Sequence, residues 1–142
     1  MLETRGIYLL IISISGMRRI EVGSLGTLTF EGGLYAYVGS AQNNLEKRIE
    51  RHFNKYKQAF WHIDYLLNNE NAEIINVLFK DAPKSEECQL ALALNSLCKP
   101  VRGFGSSDCK CPSHLFKVDN YEDIEMFLKR FGLNLFKRAA NA

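Results

Sequence analysis

Apolar residues along the chain follow two different periods, and the change of period separates predicted strands from predicted helices. The run 6–15 is almost continuously apolar and rich in β-branched and aromatic side chains, which predicts a central strand covered on both faces. Shorter apolar runs at 34–38 and 72–80, and an alternating run at 114–118, predict further strands. We therefore expect one central sheet, with 114–118 as its last strand.

A polar segment follows the first strand after Gly16. Residues 18–22 suit an edge strand, and the pair should form a hairpin. Four glycines then surround a short β-prone run between residues 23 and 33. This spacing predicts a loop or small strand inserted before the next main strand.

The first predicted helix follows the strand 34–38 after a turn at 39–41. Asn43 or Asn44 is a natural N-cap because a short side-chain oxygen can accept a backbone hydrogen bond there. Helical spacing then predicts a buried stripe made of Leu45, Ile49 and Phe53.

Three further segments show helical features, at 61–68, 85–97 and 121–131. Ser85 can cap the second of them. The inward face of that helix is predicted to contain Leu90, Ala91, Leu94 and Leu97. From Gly132 onward we expect a frayed end.

The composition supports one α/β (α+β) domain with a small, mostly antiparallel central sheet flanked by helices. Hydrophobic residues make up 46% and charged residues 24% of the 142 residues, which is typical of a folded soluble chain and not of a disordered one. We assign residues 1–142 to a single domain, with a core at 6–97, a C-terminal strand and helix within 98–131, and a tail at 132–142.

The apolar run 7–14 is too short to span a bilayer, and it lacks a signal-peptide cleavage pattern. We therefore expect a cytoplasmic protein with no membrane partner. The net charge of +2 neither requires nor excludes a nucleic-acid partner, because a local basic patch matters more than the sum. Oligomeric state is not indicated by the sequence.

The helix after 39–41 carries a cluster of basic side chains. Its members are Arg48, Arg51, His52 and Lys55, and the first and third lie four residues apart on one face. A guanidinium group can bind two phosphate oxygens and offset charge that develops during phosphoryl chemistry. The alternative is an ordinary solvated basic face.

Three ordered motifs resemble the signature of the GIY-YIG nuclease superfamily, which includes homing endonucleases and a subunit of nucleotide excision repair. They are Gly6-Ile7-Tyr8, Tyr37-Val38-Gly39-Ser40-Ala41 and the segment 45–53, and the resemblance extends to Glu87. The long gap between Tyr8 and Tyr37 makes 18–33 look like an insertion. That gap and the motif 103–111 are similar to a long-insertion branch found in archaea and bacteria.

The resemblance implies a three-stranded antiparallel sheet and hydrolysis of a DNA phosphodiester with one divalent ion, Mg²⁺ or Mn²⁺, with DNA repair as one setting. RNA is not excluded as a partner. In this comparison two tyrosines position or activate water, one arginine binds the scissile phosphate, one histidine assists as acid-base group or phosphate contact, and one glutamate holds the metal. These residues are Tyr8, Tyr37, Arg48, His52 and Glu87, and the nucleic-acid contacts are Arg48, Arg51 and Lys55.

Each of these residues also has a purely structural interpretation. Tyr8 and Tyr37 can be half-buried strand residues, and Glu87 can be a favourable charge in the first turn of a helix. Two alternatives to a nuclease therefore stay open, a nucleic-acid-binding module without catalysis and a protein-interaction domain.

Four cysteines in a chain without a secretory signal predict reduced thiols. Cys88 and Cys98 lie in an apolar helical stretch, where free cysteine is usually a small buried residue.

The remaining cysteines belong to a possible accessory site. Cys109, Cys111 and His114 lie close together, and Cys98 or His62 can complete a tetrahedral zinc site with them. The spacing C-x-C-x₂-H lacks the usual paired knuckles, so the sequence favours a reduced, hydrogen-bonded loop over structural zinc.

This loop has one further interpretation. Ser107, Asp108 and His114 can border an active cleft, and His62 can reach the same cleft, although a packed histidine is the simpler expectation for position 62.

Overall fold

The computed structural model describes residues 5–137 and contains one main sheet, one small hairpin and two layers of helices. Its strands are β1 (Gly6–Ile14), β2 (Arg18–Glu21), β3 (Thr27–Phe30), β4 (Gly33–Ala41), β5 (Ala72–Lys80), β6 (Lys99–Pro100), β7 (Leu115–Val118) and β8 (Asn134–Leu135). Its α-helices are α1 (Leu45–Phe53), α2 (His62–Leu67), α3 (Ser85–Leu97) and α4 (Tyr121–Phe131).

The main sheet has six strands in the order β6-β7-β4-β1-β5-β8, and each pair of neighbours is antiparallel. This architecture confirms the predicted α+β class with an antiparallel central sheet. The three-stranded sheet implied by the family resemblance is wrong in extent. Strands β4, β1 and β5 form the centre, and shorter strands extend both edges.

Strand β1 lies at the centre of the sheet and has buried residues on both of its faces. Ile7, Leu9 and Ile11 belong to one apolar cluster, whereas Leu10 and Ile12 belong to the cluster on the opposite face. This alternation confirms the predicted central strand, because a strand covered on both sides reads as one continuous apolar run.

Each face of the sheet is covered by two helices. On one face α1 and α2 contribute Leu45, Ile49, Ile63 and Leu66. On the other face α3 and α4 contribute Leu90, Leu94, Ile124 and Leu128. The sheet is therefore the middle of three layers, and residues at its ends can be reached from either helical layer.

The predicted hairpin between the first two strands is wrong. Both edges of β1 are occupied by β4 and β5, and the polar strand β2 pairs with β3 in a separate two-stranded sheet. Ile20 of β2 and Phe30 of β3 are buried in the α1–α2 side of the core. The small inserted strand predicted between the glycines is confirmed as β3.

The boundaries of α1 differ in part from the sequence prediction. The turn predicted at 39–41 is wrong, because β4 continues to Ala41 in register with Gly6. Asn44 is confirmed as the N-cap, and its side chain accepts a hydrogen bond of 3.2 Å from the backbone N–H of Lys47. The stripe is confirmed at its first two positions, whereas Phe53 is only partly buried.

Helix α3 and the C-terminal segment require three corrections. Ser85 is the first residue of α3 and Lys84 is the N-cap residue, without a side-chain cap. Leu97, predicted to face inward, is 48% exposed. The frayed end predicted from Gly132 is wrong at Asn134–Leu135, because these residues form β8 and pair with β5. The prediction that 114–118 is the last strand is wrong for the same reason.

The rest of that predicted tail, 138–142, lies outside the described residues. The assignment of 1–142 to one domain stays a prediction. Across residues 5–137, every helix is too short or too polar to cross a bilayer.

A buried carboxylate connects α1 to the chain leading into α2. Asp64 is fully buried and accepts two hydrogen bonds from the guanidinium of Arg51, at 2.8 and 3.0 Å. Its oxygen Oδ2 also accepts the backbone N–H groups of Phe60 and Trp61. Burial raises the pKa of Asp64, but these hydrogen bonds outweigh burial and hold the pKa below its usual value.

We predict that Asp64→Asn lowers the free energy of unfolding by about 3 kcal/mol, because it leaves the partly buried Arg51 without its counter-charge. The matched control is Asp81→Asn, which breaks the exposed pair between Arg5 and Asp81 and should cost less than about 1 kcal/mol. Urea unfolding followed by circular dichroism measures both. Equal losses in the two variants would contradict the structural role of Asp64.

Candidate active site

A cleft of about 510 Å³ opens where β1 and β4 meet the N-terminus of α3. Its other walls come from α1 and from residues 101–114, which we call the cysteine loop. The predicted site residues that line this cleft are Tyr8, Tyr37, Arg48, Glu87, Asp108, Cys109 and His114. These residues come from four distant parts of the chain, and the fold brings them to one opening.

Tyr8 lies against Gly39, its partner in the β1–β4 register. A Cβ atom at position 39 would lie 2.5 Å from the tyrosine ring, so only glycine leaves room for this ring orientation. The ring is 2% exposed, and its hydroxyl lies 2.7 Å from Nε2 of His52. The glycine of the second motif thus determines where the tyrosine of the first motif lies.

His52 lies behind Tyr8 and does not line the central cleft. It is 2% exposed, and Nδ1 makes no hydrogen bond within residues 5–137. Burial lowers its pKa to about 3, and the positive charges of Lys57 and Arg51 act in the same direction. The imidazole is therefore neutral near pH 7, and its Nε2 contacts the Tyr8 hydroxyl. The auxiliary acid-base or phosphate role expected of His52 stays a prediction.

Both tyrosines of the cleft are phenols at neutral pH. Burial raises the pKa of Tyr8 and of Tyr37 well above the usual value, while the positive charge of Arg48 opposes that shift in each case. Tyr37 is 9% exposed, and its ring also packs edge-on against His52. Neither side chain serves as a ready phenolate.

Ser40 connects the cationic and anionic sides of the cleft. Its hydroxyl donates to Oε1 of Glu87 at 2.7 Å, and its carbonyl accepts from a guanidinium N–H of Arg48 at 3.1 Å. The guanidinium carbon of Arg48 lies 4.6 Å from the ring centroid of Trp61, which adds a cation–π contact. Arg48 and Glu87 are therefore both anchored to one residue of β4.

Glu87 and His114 form a second connection across the cleft. Oε2 of Glu87 lies 3.2 Å from Nδ1 of His114, and the same nitrogen lies 3.2 Å from the carbonyl of Val38. Burial raises the pKa of Glu87, but the hydrogen bonds from His114 and Ser40 outweigh it, so the carboxylate is ionised. Burial lowers the pKa of His114, and the bond to Glu87 more than reverses that shift.

The cysteines near His114 form a compact cluster. Ligand atoms of Cys88, Cys109, Cys111 and His114 all lie within 4.8 Å of one another, and this set could hold a metal ion. The expected fourth member, Cys98 or His62, is wrong. The fourth member is Cys88, which the sequence pattern assigned to ordinary helix packing.

His62 stabilises the cysteine loop and does not line the cleft. Its Nδ1 accepts the backbone N–H of Gly105 at 2.9 Å, and its ring packs edge-on against Phe104. Burial lowers the pKa of His62. The expectation of a packed histidine is confirmed at this position.

Arg51 and Lys55 lie outside the central cleft. Arg51 is paired with Asp64, and the ammonium group of Lys55 donates to the carbonyls of Leu67 and Asn69, each at 3.0 Å. The guanidinium carbons of Arg48 and Arg51 both lie over the ring of Trp61, at 4.6 and 4.7 Å from its centroid. These two cations therefore share one aromatic side chain at the edge of the cleft. The nucleic-acid contacts expected of Arg51 and Lys55 stay predictions.

Sequence reasoning missed four residues that shape the cleft, Ser40, Trp61, Lys84 and Cys88. Ser40 belongs to the motif at 37–41. Its hydrogen bond to Glu87 depends on how α3 packs against β4, which no local sequence pattern reveals. Cys88 follows Glu87 directly. A cysteine beside a proposed site residue was the available signal for it.

We predict that His52 makes the protein less stable in acid. Its folded-state pKa of about 3 lies below the ordinary value of 6.5, so below that value the unfolded chain binds a proton that the folded chain does not. Between about pH 7.5 and about pH 5 this difference should remove about 2 kcal/mol of unfolding free energy.

The control variant His52→Gln keeps a hydrogen-bonding group near Tyr8 and cannot titrate. Urea unfolding at both pH values should show the wild type losing about 2 kcal/mol more than the variant. All other titrating groups are shared, so equal losses would show that His52 is protonated in the folded state.

The comparisons with known proteins give a family and no closer relative. A family described as "Domain of unknown function DUF123" matches residues 7–136. Among curated proteins and among solved structures, no significant match is found. Since the matched segment contains all the cleft residues described above and most of the sequence, the chain belongs to the DUF123 family.

Proposed function

We propose that this chain is a divalent-metal-dependent phosphodiester hydrolase that acts on DNA and that it shares its site with the GIY-YIG nucleases. The observation that carries the proposal is the assembly of Tyr8, Tyr37, Arg48 and Glu87 around one cleft. Two phenols, a guanidinium and an ionised carboxylate are the groups that this chemistry requires.

Arg48 and Lys84 supply positive charge to the cleft. The bond to Ser40 and the contact with Trp61 restrict the guanidinium of Arg48 before any substrate arrives. A preorganised guanidinium binds a phosphate group and offsets the negative charge that grows in the transition state. Arg48 is therefore assigned to the scissile phosphate.

Tyr8 and His52 orient the attacking water without accepting its proton. The Tyr8 hydroxyl lies 2.7 Å from Nε2 of His52, and this contact fixes the orientation of the phenol. Burial raises the pKa of Tyr8 and lowers that of His52, so both side chains stay neutral and neither is a strong base near pH 7. Tyr8 is therefore assigned to positioning the water by hydrogen bonding.

Glu87 is the residue that fits a hard divalent ion. Its carboxylate lines the cleft and stays ionised, and Mg²⁺ is commonly bound by one or two carboxylates together with water and substrate oxygens. Such an ion, Mg²⁺ or Mn²⁺, supplies Lewis-acid stabilisation of phosphate charge when bound. Asp108 lines the same cleft and is an additional carboxylate candidate.

We predict that the protein cleaves DNA in the presence of Mg²⁺ or Mn²⁺ and that Arg48→Ala and Glu87→Gln each lower the rate by about 100-fold or more. Plain, branched and damaged duplexes labelled at one end are the substrates. Gel analysis of single-turnover reactions gives the rate and the cut position, and preference for branched or damaged DNA would support a role in repair.

Arg130→Ala and Glu125→Gln are matched controls, because both residues are exposed on α4 and lie outside the cleft. They should cleave at the wild-type rate. If no substrate is cut, or if the cleft variants cut as fast as the controls, the hydrolase proposal fails.

One observation favours a second candidate, a DNA-binding module without catalysis. Both oxygens of Glu87 already accept hydrogen bonds from protein groups, and those bonds compete with a metal ion. In this case DNA binding, measured by fluorescence anisotropy, weakens with added salt and in Arg48→Ala but persists in Glu87→Gln, and no cutting accompanies it.

A further inference from the structure

We propose that Cys88, Cys109, Cys111 and His114 bind one Zn²⁺ ion in a closed tetrahedral site beside the cleft. The site is separate from any ion held by Glu87 in hydrolysis, and the inference does not depend on the proposed function. Its role is to fix the cysteine loop against the first turn of α3.

The four ligand atoms are already near the spacing that zinc requires. With metal–ligand bonds of about 2.0 to 2.3 Å, ligand atoms of a tetrahedral site lie about 3.5 Å apart. Sγ of Cys109 is 3.4 Å from Nε2 of His114, and all four ligand atoms lie within 4.8 Å of one another. Small side-chain rotations close the remaining difference.

His114 is oriented for metal binding by groups outside the cluster. Its Nδ1 faces Glu87 and the carbonyl of Val38, both acceptors, so the proton resides on Nδ1. The lone pair of Nε2 then points to the thiols. Metal-binding histidines characteristically donate their other ring N–H to a carboxylate or carbonyl in this way.

The chemistry of the ligands selects zinc over a hard cation. Three thiols and one imidazole are soft or borderline donors, and three cysteines with one histidine form a common structural zinc set. Mg²⁺ and Ca²⁺ require oxygen ligands instead. Four protein ligands also leave no open position, which indicates a structural and not a catalytic ion.

The position of the cluster explains what the ion would hold. Cys88 lies in the first turn of α3, whereas the other three ligands belong to the cysteine loop. That loop contains glycines at positive φ, Gly103 at +79° and Gly105 at +70°, and it has little regular secondary structure. One ion would join the helix that carries Glu87 to the loop that carries His114.

Zinc content is the direct test. The chain is purified with all thiols reduced, stripped of metal and titrated with Zn²⁺ alone against a chromogenic chelator. We expect one equivalent to bind tightly, and Co²⁺ in its place should give the intense visible bands of a tetrahedral thiolate site. Thermal unfolding should shift to higher temperature with Zn²⁺, because the ion binds only the folded arrangement.

The fourth cysteine provides the matched control. Cys98 lies at the far end of α3 and is not part of the cluster. Cys98→Ser should bind zinc like the wild type, whereas Cys88→Ser and Cys111→Ser should lose at least 100-fold in affinity. Glu87→Gln, which weakens the hold on His114, should lose about 10- to 100-fold.

Several results would overturn the proposal. One is a wild-type chain that binds no Zn²⁺ or Co²⁺ when a thiol titration shows all four cysteines reduced. Another is binding that Cys98→Ser weakens as much as Cys88→Ser does. Because the wild-type spectrum needs no variant, misfolding of a cysteine variant leaves the first test intact.

Discussion

The burial of β1 on both faces and both edges is the constraint on which the rest of the structure depends. A strand in this position needs apolar side chains on both of its faces, and successive residues of β1 do belong alternately to the two apolar clusters. It also needs a neighbouring strand at each edge and a helical layer on each side. Tyr8 is the polar exception among its core residues. Its hydroxyl group therefore has to be satisfied inside the core, and His52 from α1 provides that contact.

At the end of this strand the β1–β4 register determines which residues meet in the cleft. Residues that are far apart in sequence are brought together there. Gly39 lies opposite Tyr8, and Ser40 beside it reaches both Arg48 and Glu87. A shift of β4 by one residue would turn these side chains to the other face of the sheet. The same long β1–β4 ladder that stabilises the core thus sets the geometry of the cleft.

Those parts of the fold that depend on local patterns could be predicted from the sequence. The apolar run of β1, the bounds of β5 and the cap at Asn44 are local, and the structure confirms them. The partner of β2 could not be predicted, because pairing depends on which edges of β1 other strands already occupy. Cys88 was missed because its neighbours come from the loop that follows α3, and only the folded chain brings that loop back to the first turn of the same helix.

The carboxylate of Glu87 also has a thermodynamic consequence. One oxygen faces Ser40, which also holds Arg48, and the other faces His114, so the group belongs to two hydrogen-bond systems at once. Anything that binds at the far nitrogen of His114 must change the electron density and proton affinity of Glu87. By thermodynamic reciprocity, a ligand at Glu87 changes the affinity at His114 by the same factor. The ligands that we propose for Glu87 and for His114 would therefore bind as a linked pair and not independently.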